Sequence, residues 1–328
     1  MRAAVAATGR IAAALPPASG AVVMGTGIVS IGLSVDGRET LSRVLLALTA
    51  ATWFGLGASV LLLAARLRAV LLEAARSPAA LTGIAGTAVL GARVDLLGWN
   101  READALLAVA LVLWLLLVPY VLGHWRRPTV GVSFVLTVST ESLAVLAAVL
   151  AIAQRATWLA VAALVCVGLG LVFYLFVLSA FDLRQLLAGA GDHWVSGGAL
   201  AIATLACAHA AGAAAALGGL RASDGSLDTA ALALWAAAAA WLPPLLAAEA
   251  VSLRTAYDVR RWSTVFPLGM YAVCSFAVAD VDGISGMASF ARVWIWIAFG
   301  VWLVVSGAML RRCASVVRGL GHSAERYG

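Results

Sequence analysis

Lysine is absent from this chain: all 22 of its basic residues are arginine, set against 16 acids and four histidines. Charge of either sign is scarce, at 12% of the residues, where soluble domains carry about 25%. With 63% hydrophobic residues and a mean hydropathy of +1.00, the chain lacks the polar surface that water demands. Cysteine is equally thin. Cys166, Cys207, Cys274 and Cys313 lie far apart, the first three inside apolar stretches, which excludes a disulfide framework and any zinc spacing. The histidines are scattered too, with only His209 deep in an apolar run, so neither a metal site nor a cofactor is expected. No continuous basic patch exists, which excludes nucleic acid as a partner and leaves lipid headgroups as the match for the arginines. The segment 1–17 contains Arg2 and Arg10 and has no convincing apolar core, so it reads as a cytoplasmic N-terminal segment rather than a cleaved signal.

What the chain does have is apolar runs of spanning length. They read as Ala18–Val35, Leu41–Ala65, Ala79–Leu97, Ala105–Gly123, Gly131–Ala153, Trp158–Ala180, Val195–Leu217, Ala230–Val251, Ser263–Ala279 and Ala288–Leu310. In lipid only helices or closed barrels satisfy the backbone, and these runs are too long for barrel strands. The expected fold is an all-α polytopic membrane protein of ten helices paired as five hairpins, one transmembrane domain over residues 1–328. The connections leave no room for a separate soluble domain.

Orientation follows from arginine, which is enriched in cytoplasmic loops. Arg2, Arg10, Arg66, Arg68, Arg76, Arg126, Arg127, Arg184, Arg254, Arg260, Arg261, Arg311, Arg312, Arg318 and Arg326 fall on one side. The other side has Arg38, Arg43, Arg93, Arg101, Arg155, Arg221 and Arg292, among acids that include Asp36, Glu39, Asp95, Glu102, Asp224, Asp228, Asp280 and Asp282. Both termini, including the tail 311–328, are therefore expected to be cytoplasmic.

Odd and even spans differ. The fourth contains LLAVALVLWLLL and suits lipid. The odd spans are richer in small and hydroxylated residues: Gly25, Thr26, Gly27 and Ser30; Thr82, Gly83, Gly86 and Thr87; Ser133, Thr137, Ser139 and Thr140; Ser196, Gly197, Gly198 and Thr204; Thr264, Gly269 and Ser275. Small residues allow either close helix approach or a narrow lumen, and hydroxyls can hydrogen-bond a passing solute. An inner ring of five odd helices inside five even ones is the architecture this alternation suggests.

Two segments carry more than composition: ASGAVVMGTGIVSIGL at Ala18 to Leu33 and RRWSTVFPLGMY at Arg260 to Tyr271. Together they resemble the first and ninth helices of the tellurite-resistance/dicarboxylate transporter family, which includes malic acid transporters and plant slow anion channels. The resemblance implies a homotrimer with one pore per subunit, lined by odd helices and passing small anions, oxyanions or C4-dicarboxylates. It implies lining by Gly25, Thr26, Gly27, Gly83, Gly86, Thr137, Thr140, Gly197, Gly198 and Gly269. It also implies that Phe266, with Pro267 behind it, plugs the pore. The physics agrees, because a bulky ring beside a proline that frees a backbone carbonyl can protrude into a narrow lumen and exclude water. Packing at the membrane interface is the alternative for Phe266. The chain departs from the family where Arg261 precedes Trp262 instead of paired aromatics, and where Ala18 and Ser19 stand at the start of the first helix.

Among ionisable groups Glu141 stands out, mid-span in FVLTVSTESLAVL, where a charge costs about 2.5–3.5 kcal/mol. It either faces the lumen and couples proton movement to transport, or locks the fifth helix to a neighbour as a protonated or hydrogen-bonded carboxyl. In GDHWVSGG, Asp192 reads as a helix cap, Trp194 as an interfacial anchor and His193 as a second candidate for proton coupling. Glu249 is expected to pair with Arg254. The competing function is a membrane-embedded transferase acting on a lipid-linked substrate, but such enzymes need carboxylate pairs or metal ligands at an interface, and no Asp-x-x-Asp cluster or His-rich motif is present. Transport without enzymatic chemistry is the expectation.

Overall fold

The computed structural model describes residues 16–188, 191–218, 225–252, 257–282 and 285–325. The N-terminal segment up to residue 15, with Arg2 and Arg10, lies outside the described residues, as do Arg221, Asp224, Arg254 and Arg326. Ten main helices follow one another: α1 (Gly20–Val35), α2 (Glu39–Arg66), α3 (Thr82–Asp95), α4 (Asn100–Gly123), α5 (Val135–Gln154), α6 (Thr157–Leu178), α7 (Trp194–Leu217), α8 (Ser226–Val251), α9 (Trp262–Asp282) and α10 (Ser285–Glu325). Among the described residues the only extended pairing is an isolated bridge between Thr129 and Phe181.

Nine of these helices, counted among the described residues, are long and apolar enough to cross a membrane; α3 is the exception. It was expected over Ala79–Leu97, but its α-helical part runs only from Thr82 to Asp95 and contains three glycines and Arg93. At ~1.5 Å per residue, fourteen residues rise about 21 Å, and the 3-10 turn Pro78–Leu81 in front adds about 8 Å. That approaches the ~30 Å of a hydrocarbon core. Its low hydropathy is tolerated because nearly every residue of α3 is buried by other helices.

Each odd helix packs on the even helix that follows it, and the odd helices pack on one another in a closed cycle: α1 on α3, α3 on α5, α5 on α7, α7 on α9, and α9 back on α1. The 3-10 turn Pro17–Ser19 before α1 touches both Pro78–Leu81 and Val259–Arg261, and Pro78–Leu81 touches Gly131–Phe134 before α5. The odd helices therefore start at one end of the bundle and run in one direction. Burial follows the same division. In the spanning windows of α1, α5, α7 and α9, between 67% and 94% of residues are buried, against 11% to 28% for the even helices. Large apolar side chains such as Leu61, Leu116, Val165 and Val304 are exposed on the even helices, where lipid takes the place of water.

At the far end the first three helices are tied by one arginine. Arg93 of α3 is fully buried and donates from Nη2 to both carboxylate oxygens of Glu39 at 2.9 Å, while its Nε donates to Ser42 Oγ at 2.9 Å and Ser30 Oγ at 3.3 Å. Sequence position had set Arg93 among charges at the membrane surface. The structure corrects this, placing it inside the bundle as an interhelical clamp with a carboxylate partner, as a buried guanidinium requires.

Candidate functional site

The axis of the inner ring is the natural place to look for a path. A cavity of about 20 Å³ lies there, walled by residues from all five odd helices: Ile28 and Ile31; Ala88, Val89 and Ala92; Ser142 and Val145; Ile202 and Leu205; and Met270. Such a space holds roughly one water molecule. Ser142 carries the sole hydroxyl in this lining, and it donates to its own turn, to the Val138 carbonyl at 2.7 Å. The lining is otherwise apolar.

One helical turn nearer the start of the odd helices, four residues earlier on the same faces, stand Met24, Ile84, Val138, Gly198 and Phe266, all buried. Phe266 thus shares a face of α9 with Met270 and is only 1% exposed. Pro267 beside it removes the donor that the Ser263 carbonyl would receive in an unbroken helix. Gly198 makes room for this proline: a Cβ there would come within 2.7 Å of the Pro267 ring. The axis is therefore closed by stacked apolar layers.

The hydroxyls expected along the lumen are engaged elsewhere. Trp302 of α10 donates its indole N–H to Thr26 Oγ1 at 3.0 Å, and Trp114 of α4 donates to Thr140 Oγ1 at 2.9 Å. Trp53 of α2 bonds Thr87 Oγ1 at 2.8 Å and Trp235 of α8 bonds Ser275 Oγ at 2.8 Å. In each case an outer tryptophan reaches the hydroxyl of the odd helix that follows it, with α1 following α10. Thr26 and Thr140, both expected to line a lumen, each accept from an outer helix. The cause is the bilayer: a buried indole N–H without an acceptor is costly, and lipid supplies none. Thr137 has a buried hydroxyl for which no hydrogen-bond partner is present among the described residues.

The glycines act as close-approach points. A Cβ on Gly25 would press on Trp262 and Val265, on Gly27 on Val89, on Gly86 on Val23, on Gly197 on the Tyr271 hydroxyl, and on Gly269 on Ile28. Gly83 alone of the expected set faces open space. At these positions the inner helices approach one another closely, as small residues allow.

Glu141 is fully buried, and neither carboxylate oxygen has a hydrogen-bond partner among the described residues. Its carboxyl lies against the backbone of Gly170 on α6, occupying the volume a Cβ there would need. It points at an outer helix rather than toward the small cavity. This is also the sector in which α6 offers no tryptophan to a hydroxyl of α7, unlike the other four outer helices.

Asp192 and His193 are both buried at the start of α7. Asp192 does not cap its own helix as expected: its Oδ2 accepts from the Val132 N–H at 3.3 Å, joining the start of α7 to that of α5. Glu249 pairs with Arg261 at 2.6 Å and accepts from Trp194 Nε1 at 3.4 Å, while Arg254, its expected partner, lies outside the described residues. Asp258 caps the turn before α9 and also grips Arg260 at 2.8 Å. That hydrogen bond holds its carboxyl below the usual carboxylate range. Among the described residues no group of three His, Cys, Asp or Glu side chains is placed to hold a metal.

A family model described as SLAC1, voltage-dependent anion channel, matches residues 14–310. Two relatives from Mycobacterium tuberculosis, one from strain CDC 1551 / Oshkosh and one from strain ATCC 25618 / H37Rv, are each 34% identical over 143 residues. The match covers 42% of this chain and 71% of each relative, and both are named as uncharacterized membrane proteins.

Proposed function

The chain belongs to the voltage-dependent anion channel family, a family of anion channels and transporters rather than enzymes, and from that premise we propose that each subunit holds one pore for small anions along its inner ring. Ten helices cross the plasma membrane as five hairpins, with both termini cytoplasmic. The observation that carries this reading is the cavity of about 20 Å³ shared by all five odd helices, with Phe266 one turn away on the same face as Met270.

Phe266 is the gate. Its ring and the apolar layers around it close a lumen too narrow for a hydrated ion, and a hydrophobic constriction gates by keeping water out. Pro267 supports the ring by breaking the helical ladder behind it and seating against Gly198. Anions are favoured because the odd helices begin together, so their positive dipole ends converge on one mouth, near Arg260 and Arg261. Weak attraction of this kind lets ions leave again, which suits passage rather than tight binding.

Lining is by side chains of the axial layers, with Gly198 the member of the small-residue set that borders Phe266. Glu141 packs between α5 and α6 against Gly170, outside the path. His193, buried at the start of α7, is the second candidate for proton coupling. The subunit assembles as a homotrimer, a proposal that rests on the family resemblance. Small inorganic anions, oxyanions such as sulfite, and C4-dicarboxylates are the candidate solutes. Flux of chloride, nitrate, sulfite and malate into proteoliposomes containing the wild type or Phe266→Ala tests the reading: at least one anion should cross faster than in protein-free vesicles for one of the two proteins, and no flux of any anion with either would overturn it.

A further inference from the structure

A second cavity, of about 430 Å³, lies away from the axis, between α8 and α10 with α9 as its floor. Its volume falls in the range of small-molecule sites, roughly 300–1,000 Å³. The wall on α10 runs from Trp294 to Ala308, fourteen steps, or about 21 Å. One leaflet contributes about 15 Å of the hydrocarbon core, so the slot has the length of a single leaflet's acyl chain with part of its headgroup region. Its long stretch is apolar, with Leu268 and Val305 buried at the base and Leu246 and Val304 exposed at the rims.

Polarity is concentrated at one end. Glu249, Tyr257 and Arg261 line the cavity where α9 begins. Arg311 and Arg312 follow Ala308 by three and four residues, one turn further along the same face of α10, and both are exposed. With Arg260, four arginines stand at this end against three acids: Arg260 pairs with Asp258, Arg261 pairs with Glu249, and Asp192 lies near Arg260, so Arg311 and Arg312 supply the excess positive charge. Tyr257 and Trp194 add the amphipathic rings typical of the headgroup level. An apolar slot one leaflet long, ending in excess positive charge, has the polarity of a phospholipid lying in the bilayer with an anionic headgroup.

We propose that this groove is a binding site for one anionic phospholipid per subunit. The acyl chain lies along α9 between α8 and α10, and the phosphate rests among Arg260, Arg261, Arg311 and Arg312. A second copy docked face to face in a two-fold dimer is a poorer occupant, because it would bring two positive ends together, and a heterologous contact within the trimer is distinguished by the oligomer mass in the test below.

The test is retention of lipid by the purified full-length protein, read by native mass spectrometry, with phosphatidylglycerol and phosphatidylcholine of identical chains as probes. Phosphatidylglycerol should be held at about one molecule per subunit, at a concentration at least ten-fold below that needed for phosphatidylcholine. Val301→Trp or Ala308→Trp, each filling the slot, should reduce that retention at least ten-fold. The pair Arg311→Gln and Arg312→Gln should lower retention of phosphatidylglycerol toward that of phosphatidylcholine. Equal retention of the two lipids by the wild type would overturn the proposal. So would unchanged retention in both slot-filling variants, or a change of oligomer mass in them with lipid retention unaffected. Because no ion flux is measured, this result stands or falls separately from the proposed pore.

Discussion

Trp302 donates its indole N–H to Thr26 across 276 residues of sequence, at 3.0 Å, joining the last helix to the first and closing the ring of hairpins. The same geometry recurs at Trp53 with Thr87, Trp114 with Thr140 and Trp235 with Ser275. Hydroxyls on the inner helices serve as mortar between the two rings, and the axis keeps its apolar lining.

Removing one clamp should cost little and leave selectivity alone. Trp302→Phe keeps the ring and deletes the donor, and Thr26 can still bond within its own helix, so a loss of about 1 kcal/mol is expected. Thermal unfolding in detergent should show a melting temperature lower by a few degrees. Thr26→Val should leave the ranking of permeant anions unchanged; a reordered ranking would place Thr26 in the path.

Breaking the Arg93–Glu39 pair should be far more severe. Glu39→Ala strands a fully buried guanidinium, at a cost of about 3–5 kcal/mol, whereas Arg93→Ala costs less on the Glu39 side, because that half-exposed carboxylate keeps Arg43 and Ser34. Arg93→Lys should recover only part of this, because an ammonium cannot meet both carboxylate oxygens while also bonding Ser30 and Ser42. Yield of folded protein and melting temperature would report it.

Much of the architecture was readable in the residues. The apolar runs located ten helices, and the contrast between LLAVALVLWLLL and MGTG separated lipid-facing from ring-forming members. The third helix was overextended because its glycines, Thr82 and Arg93 carry no end signal; burial, rather than hydropathy, sustains it. The partners of the hydroxyls were not legible, for a physical reason. A threonine pattern says that a hydroxyl needs a partner, but not whether the partner is a passing ion or a neighbouring indole. The missed signal was the twelve tryptophans, several of them mid-helix on even spans where no water can satisfy their N–H. Glu141 was likewise singled out by its solvent, yet only the approach of Gly170 reveals which way it points.

Glu141→Gln should leave the pH dependence of flux intact, since the carboxyl faces α6 and not the axial layers. Gly170→Ala is the sharper probe, because the added methyl competes with the carboxyl for one volume. It should lower stability by about 1–3 kcal/mol, as overpacking does. A pH profile that shifts in Glu141→Gln would restore a role in proton coupling.

The glycines make a paired comparison. Gly83→Ala meets nothing within 4 Å and replaces a poor helix former, so stability should rise by about 0.5–1 kcal/mol. Gly198→Ala forces a methyl into Pro267 and should both destabilise the protein and alter basal flux through the neighbouring Phe266. Equal behaviour of the two variants would mean that the contact between α7 and α9 has no bearing on the gate.

The most direct measurement is chloride and nitrate flux in proteoliposomes for the wild type against Phe266→Ala, at matched protein density. Deleting the ring should open the apolar column and raise flux at least ten-fold, with anions still preferred over cations. Flux that stays at the wild-type level in a folded Phe266→Ala protein would contradict a pore closed at α9.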